Sequence, residues 1–360
     1  MKVSMRASPY PLQRQLAWLP RSTRVTVGGV MEFGRARRRR LSEAVAVTAA
    51  RHQTSRREMW LRMLRASVRY GFTPKDFLAL RLADLPLEEH SRWVSKVLVR
   101  ELQYGQNRHG DPELLNDKHR FARHFAPWLG RHVYPLSADD ARGFLNWVDR
   151  HGLERVMFKP RWGVSGIGIS VHDLGNDSSA AALHLALSSS GPGLVEEVIT
   201  QHPSMADLYP GSVNTVRVTT MRGTHGFEVS RAALRIGIDG FVDNLAQGSL
   251  AAPIDPFTGT VVGAGVTSDP MAPQFRFNHH PVTGKCIEGV KIPFWSDVMA
   301  LVQEASARTE GLNSVGWDVA ILPTSACLIE GNDIWCHVLW QLPQRRGGRA
   351  EALRLLGESA

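Results

Sequence analysis

The chain is poor in cysteine. Three are present among 360 residues, Cys286, Cys327 and Cys336, an odd number with no Cys-x-x-Cys spacing. That pattern argues against a disulfide framework and against a cysteine zinc site, and it fits a reducing, cytoplasmic setting. Long apolar runs are also missing: none approaches the roughly 20 residues that span a bilayer. The only apolar cluster near the N-terminus, "LAWLP", is too short for a signal-peptide core, so export is not expected. There is no internal repeat, and no serine or cysteine stands beside an obvious base, so no side-chain nucleophile is expected.

A basic body is missing as well, despite a pI near 9.9. Residues 1–57 hold thirteen Lys/Arg and two Asp/Glu, a net of +11 against +9 for the whole chain, so the remainder is slightly acidic. The excess sits in a tail that includes "RARRRR" from Arg35 to Arg40, just after Met31, itself a candidate start. Such a tail touches RNA, an acidic membrane face or an acidic partner only weakly, or is simply solvated. Nucleic acid is therefore not expected as the main partner.

Several patterns are clear. Residues 55–105 carry helical periodicity, with Trp60, Leu61, Leu64 and Val68 on one face and Val94, Leu98 and Leu102 on another. A short helix follows Asn116 or Asp117, with Phe121, Phe125 and Leu129 inward. "SADDARGFLNWVDRHG" predicts a helix capped by Ser137, with Asp140 completing a box and Gly152 ending it. "SDVMALVQEASARTEG" predicts another, capped by Ser296, with Val298, Leu301, Val302 and Ala305 buried. Strands are predicted at "RVMFKP", "ISVHDL", "GLVEEVI", "SVNTVRVTTM", "EVSRAALRIGI", "VGWDVAIL" and "CLIEGN". The sum is an α+β chain. We divide it into a basic extension (1–54), a helical region (55–115), a small α/β lobe (116–200), a larger lobe on antiparallel strands (201–345) and a C-terminal tail or helix (346–360).

Three stretches carry chemistry. The first is "FKPRWGVSGIGIS", where Lys159 ends a strand and Gly163, Ser165, Gly166 and Gly168 form a loop that turns backbone N–H groups toward an anion. The lysine precedes the glycines, so this is not a P-loop, and a strand follows, so it is not a dinucleotide fingerprint. It is either a flap over a triphosphate or an ordinary hairpin turn. The second is an arginine set. A turn centred at Thr224 places Arg217 opposite Arg231, with Arg235 on the same face. Like charges so placed repel unless an anion lies between them. The third is an acidic set. A turn centred on Thr324 places Asp318 opposite Glu330, with Asn332 beside it, an oxygen-only group suited to Mg²⁺.

With these parts together, the sequence resembles the ATP-grasp superfamily, and within it the sugar-transfer-associated branch. The resemblance runs over residues 116–332 and is most specific at "VEEVITQHP", "SVNTVRV", "LRIGIDGFVDNLAQGSLAAPID", "IPFWSDV" and "VGWDVAI". It implies an ATP-grasp fold with ATP between two α/β lobes. It further implies that Lys118 and Lys159 meet the ATP phosphates or the adenine edge, and that Gly163 to Gly168 cover the β,γ-phosphates. Glu196, Glu197 and Val198 would form the adenine hinge, with Glu197 or His202 at the ribose. Arg217 would stabilise the transferred phosphoryl group. Asp318, Glu330 and Asn332 would hold Mg²⁺ or Mn²⁺. Asn244, Gln247 and Gly248, with Arg231 and Arg235, would line the acceptor side. One departure stands out: the chain reads "EGNDIWCHVLWQLP", without the Pro-Gly pair that often follows the Glu-x-Asn element. The implied reaction is ligation of a small-molecule or sugar-linked carboxylate to an amine through an acylphosphate, in polysaccharide or natural-product tailoring. A small-molecule kinase and a non-catalytic nucleotide-binding protein are the alternatives.

Overall fold

The computed structural model describes residues 23–28, 31, 38–163, 166–174, 177–223, 226–240 and 243–355. Ser165 and most of the basic extension lie outside them. The chain divides into two compact units. One comprises residues 1–105, 268–275 and 337–360, and the other 106–267 and 276–336.

The first unit is helical. Its main helices are α1 (Arg38–Arg51), α2 (Arg56–Tyr70), α3 (Pro74–Ala79) and α4 (Lys96–Gln106), whose last residue opens the second unit. The α3 start is a reciprocal capping box: Asp76 N donates to Thr73 Oγ1 (3.0 Å) and Thr73 N to Asp76 Oδ2 (3.1 Å). Asp76 also accepts from His337 Nε2 at 2.9 Å. Val94, Leu98 and Leu102 are buried as expected, but α2 is rotated from its expected face. Met59, Met63 and Ala66 are buried, whereas Leu61, Leu64 and Val68 face solvent. Both stripes repeat at helical spacing, and the unbranched methionines fill the core side.

The second unit holds two antiparallel sheets. The smaller has the order β1-β4-β2-β3, from β1 (Val133–Leu136), β2 (Arg155–Pro160), β3 (Ser170–Asp173) and β4 (Gly193–Glu197). Numbering the helix Lys118–His124 as α5, the two helices on this sheet are α6 (Ala141–His151) and α7 (Asp177–Ser189). Phe144, Val148, Ala180 and Leu187 from these helices meet Leu136, Val156, Phe158 and Val195 of the strands. Asp140, not Ser137, caps α6, through Gly143 N (3.0 Å). Gly152 ends it in the left-handed region, as expected.

The larger sheet has the order β11-β10-β5-β6-β7-β8-β9. Its central strands are β5 (Val216–Gly223), β6 (Gly226–Ile236), β7 (Leu250–Ile254), β10 (Ser314–Ile321) and β11 (Ala326–Asn332); β8 (Gly265–Val266) and β9 (Arg276–Phe277) extend one edge. Helix α8 (Trp295–Ala307) covers one face with Val298, Leu301, Val302 and Ala305. It begins after Phe294, which sits at φ 54° without a side-chain cap, so Ser296 lies inside the helix rather than at its start. Under α8, Val216, Val218, Leu234, Trp317 and Val319 form the core, and the Trp317 indole donates to Ser306 Oγ (2.9 Å) and Thr220 Oγ1 (3.1 Å). Period-two alternation then sends the intervening residues to the opposite face. That face carries the candidate site.

Candidate active site

Asp318 is the centre of the large-sheet face. It stands opposite Arg217 on β5 and opposite Glu330 on β11, the latter being the register expected from the sequence. Arg217 forks onto Asp318 through Nε and Nη2 (the latter 2.8 Å), and Arg235 Nη1 donates to Asp318 Oδ2 at 2.7 Å. Burial alone would raise the Asp318 pKa, but the two guanidinium groups hold it well below the usual carboxylate range. Arg235 is anchored from behind by Asp243, whose Oδ1 lies 2.8 Å from Nη2. Thr215 N in turn donates to Asp243 Oδ2 at 2.9 Å.

The arginine register differs from expectation. Arg217 faces Ala233, and Arg231 faces Thr219. Two offsets produce this: Gly223 pairs with Gly226, and Ser230 is an extra residue between the Thr220–Val229 and Thr219–Arg231 pairs. Because the two shifts add, Arg217, Arg231 and Arg235 still share one face. Arg231 is buried there.

Glu330 is the opposite case to Asp318. Burial, then the neighbouring Asp318 charge, pushes its pKa up. Asn332 Nδ2 donates to Glu330 Oε1 and to Gly316 O, both at 3.3 Å. The set fits a hard divalent cation: the buried Asp318 and half-buried Glu330 carboxyls, which otherwise repel, plus an amide oxygen. Among the described residues no group of three or more His, Cys, Asp or Glu side chains suits a metal, so Asn332 is needed to complete the donors.

The small sheet contributes the other half. Lys159 on β2 is buried and donates to Glu196 Oε2 on β4 at 2.6 Å. Arg131 holds the same carboxylate through Nε (2.8 Å) and Nη2 (3.2 Å). Burial works to raise the Glu196 pKa, but the two cations bring it down to about 2. A depressed carboxylate stabilises the fold fully above its unfolded pKa and loses that contribution as pH falls through the folded value. Glu196→Gln should therefore lose stability relative to the parent at pH 7, and the gap should narrow between about pH 4.5 and pH 2. Denaturant titrations at pH 7 and pH 3 check this; a gap independent of pH would refute it.

Lys118 opens α5 behind the cap residue Asp117, which accepts from His119 N at 3.0 Å. Asp117 also grips Arg161, at 2.9 Å to Nε and 2.7 Å to Nη2, at the start of the glycine loop. Lys118 Nζ reaches Gly163 O at 3.1 Å. Burial lowers its pKa, and it feels Glu330, Lys159 and Glu196 together. The loop is a strand–loop–strand hairpin, with Phe158 opposite Ser170. Gly166 and Gly168 sit at φ 75° and 78°, and a Cβ on Gly168 would lie 2.8 Å from Pro160 Cγ.

Along the expected hinge, Glu197 N donates to His132 O (2.9 Å) and its carboxylate accepts from His132 N (3.1 Å). The Glu197 N–H and carboxylate are thus both engaged. His202 caps the turn at Pro203–Ala206 through Ser204 N (3.2 Å), with its ring exposed. Asn244 caps the turn Leu245–Gln247 through Ala246 N, and Gly248 closes it at φ 98°. This turn follows directly from Asp243, the anchor of Arg235.

A family model described as sugar-transfer-associated ATP-grasp matches residues 146–354, more than half of the chain. The chain belongs to that family. Its fold is accordingly the ATP-grasp fold, with the helical region preceding the two sheets. Among solved structures, the ATP-grasp ligase PsnB with its minimal precursor aligns at 12% identity over 67% of this chain and 60% of that one (TM-score 0.38). D-cycloserine synthetase DcsG aligns at 15% identity over 79% and 82% (TM-score 0.37). D-alanyl-alanine synthetase A from Vibrio cholerae aligns at 10% identity over 61% and 55% (TM-score 0.36). The chain thus spans well under two thirds of the length of the last, and 60% of PsnB. No protein with a curated description matches by sequence.

Three charged residues of the site carry no expectation from the sequence, Arg131, Arg161 and Asp243, and Asp117 was expected only as a helix cap, which it is. Asp243 had a readable signal, an acid in a Gly- and Asn-rich loop two strands' reach from Arg235. Arg131 had none, because a single arginine before a short strand looks like any surface cation.

Proposed function

We propose that this chain is an ATP-dependent ligase that joins a carboxylate to an amine through an acylphosphate. ATP-dependent ligation is the chemistry of the family; the carboxylate–amine choice, the residue roles and a cytoplasmic location are our reading. No described helix is long and apolar enough to cross a membrane. The observation that carries the proposal is that each sheet of this unit holds cations on a buried carboxylate: Lys159 on Glu196 in the small sheet, Arg217 and Arg235 on Asp318 in the large one. A polyphosphate with its own cation is the ligand such paired charges would take.

In this reading Lys118 and Lys159 bind phosphate oxygens, the hairpin through Gly163, Gly166 and Gly168 covers them, and the chain from Glu196 through Val198 to His202 receives the nucleoside. Glu330 and Asn332, with Asp318, would hold Mg²⁺ or Mn²⁺, which supplies charge neutralisation on the phosphates. Arg217 faces the charge that develops on the transferred phosphoryl group. Arg231, Arg235 and the Asn244–Gly248 turn present an anionic carboxylate, small or sugar-linked, to the amine. Residues 116–200 and 201–345 are the two lobes of this machinery.

Mg-ATP should raise the melting temperature, since a ligand at about 100 times its dissociation constant stabilises by roughly 2.7 kcal/mol. ATP with chelator should give little shift, because Asp318 and Glu330 then face the phosphates with no cation between them. Equal shifts would sink the reading. A kinase using the same ATP site is the second reading; the missing Pro-Gly pair is what motivates the third, a non-catalytic nucleotide-binding protein. Trp335 is buried there instead, its indole donating to Ser314 Oγ at 2.8 Å, so the acceptor side closes differently. Free phosphate as product supports the ligase; phosphate left on the acceptor supports the kinase.

A further inference from the structure

We infer that Arg131 is a positioning residue that divides Glu196 with Lys159 and so keeps the Lys159 amine available to phosphate; this rests on the ATP reading above. Arg131 touches four acceptors on three pieces of chain. Its Nε and Nη2 fork onto Glu196 of β4, and its Nη1 donates to Leu129 O (2.9 Å) and to Leu328 O of β11 (2.7 Å). Glu196 belongs to the small sheet and Leu328 to the large one, so one guanidinium spans both. The approach is close: Gly130 sits at φ 58°, and a Cβ there would lie 2.8 Å from Cys327 Cβ. A planar fork with five donors suits this position, and a lysine does not.

Lys159 shares one oxygen with that fork. Glu196 Oε2 lies 2.6 Å from Lys159 Nζ and 2.8 Å from Arg131 Nε. With two cations on one carboxylate, each is held less tightly than it would be alone. Without Arg131 the whole carboxylate charge falls to Lys159, in a site where all three groups are buried. The lysine is then pinned to Glu196 and must break a stronger pair to meet phosphate. A purely structural Arg131 predicts the opposite: its loss loosens the sheet edge and frees the lysine.

The opposed signs make the test. Reductive methylation of Lys159, followed by mass spectrometry, reads the reactivity of its amine with no nucleotide present. In Arg131→Met we expect Lys159 to label several-fold more slowly than in the parent, and the Mg-ATP dissociation constant to rise about tenfold, the scale of one charged hydrogen bond. Arg131→Lys keeps the charge but reaches fewer acceptors, so labelling should stay at the parental rate with a smaller loss of affinity. Faster labelling in either variant overturns the inference, as does parental ATP affinity in Arg131→Met. Should Arg131→Met not fold, Arg131→Lys decides by the same labelling sign. If the parent binds no Mg-ATP, the functional reading falls, while slower or faster labelling in Arg131→Met still supports or overturns the role of Arg131.

Discussion

Arg217→Ala is expected to lower turnover by about 10³-fold, the scale seen when an arginine that meets transferring phosphoryl charge is lost. Mg-ATP affinity should change far less. An interaction made mainly in the transition state appears in kcat rather than in ground-state binding. The fold should tolerate the change, because Asp318 keeps Arg235 as a partner at 2.7 Å. Lys159→Ala is the contrast, weakening ATP binding itself. Uncoupled ATP hydrolysis and direct nucleotide binding measure both quantities before any acceptor is known. Normal turnover by Arg217→Ala would show that the arginine serves only to neutralise Asp318.

Asp318→Ala is expected to have the largest effect on stability. It removes the one carboxylate that joins Arg217 and Arg235 and leaves Arg217 without that fork, facing an Arg235 that keeps only Asp243. Breaking a buried pair from one side costs about 3–5 kcal/mol, on the order of 10 °C in melting temperature for a unit of this size. Glu330→Gln should cost little, although it stands directly opposite Asp318. Burial and the Asp318 charge both disfavour an ionised Glu330, and an amide removes that repulsion. The same variant should nevertheless lose the difference between Mg-ATP and chelated ATP. Thermal unfolding of the two variants, with and without the cation, tests both claims. A severe Glu330→Gln and a mild Asp318→Ala would reverse the assignment of which carboxyl is charged.

Much of this was legible in the sequence, and the limits have physical causes. Strand positions came from period-two alternation, which is strong where one face is as apolar as Val216, Val218, Leu234 and Val319. The Asp318–Glu330 pair was expected from a turn centred on Thr324; the pairs nearer the turn, Val319–Leu328 to Ile321–Ala326, sit half a residue off that centre, and an irregularity between Asp318 and Val319 restores the expected pair. The Arg217 register did not: the tip pairs Gly223 with Gly226, and the extra Ser230, between Val229 and Arg231, adds a second one-residue shift that the hydrophobic pattern does not mark. Helix α2 was misoriented since two apolar stripes compete on it, and only packing decides between Met59–Met63 and Leu61–Leu64. The cap at Ser137 was displaced to Asp140 because Ser137, Asp139 and Asp140 all offer oxygens there, whereas the helix expected from Ser296 begins after Phe294 without any side-chain cap. The ion-pair anchor Arg131 was invisible for a different reason: it acts by long-range contact, its carbonyl partner on β11 lying 197 residues away.

The extra residue at Ser230 has a consequence for how this hairpin tolerates change. Below it, β6 is locked in phase by Leu234 and Ile236 in the core, so Arg231 and Arg235 cannot rotate off their face. Above it, Phe227, Glu228 and Val229 form a distal ladder with Thr220 to Arg222. The bulge acts as a clutch between the two. A residue gained or lost near the hairpin tip is absorbed there by reversing the faces of the distal ladder, and the arginines below stay in mesh with Asp318. The tip is thereby free to drift in length while the charged face keeps its alignment.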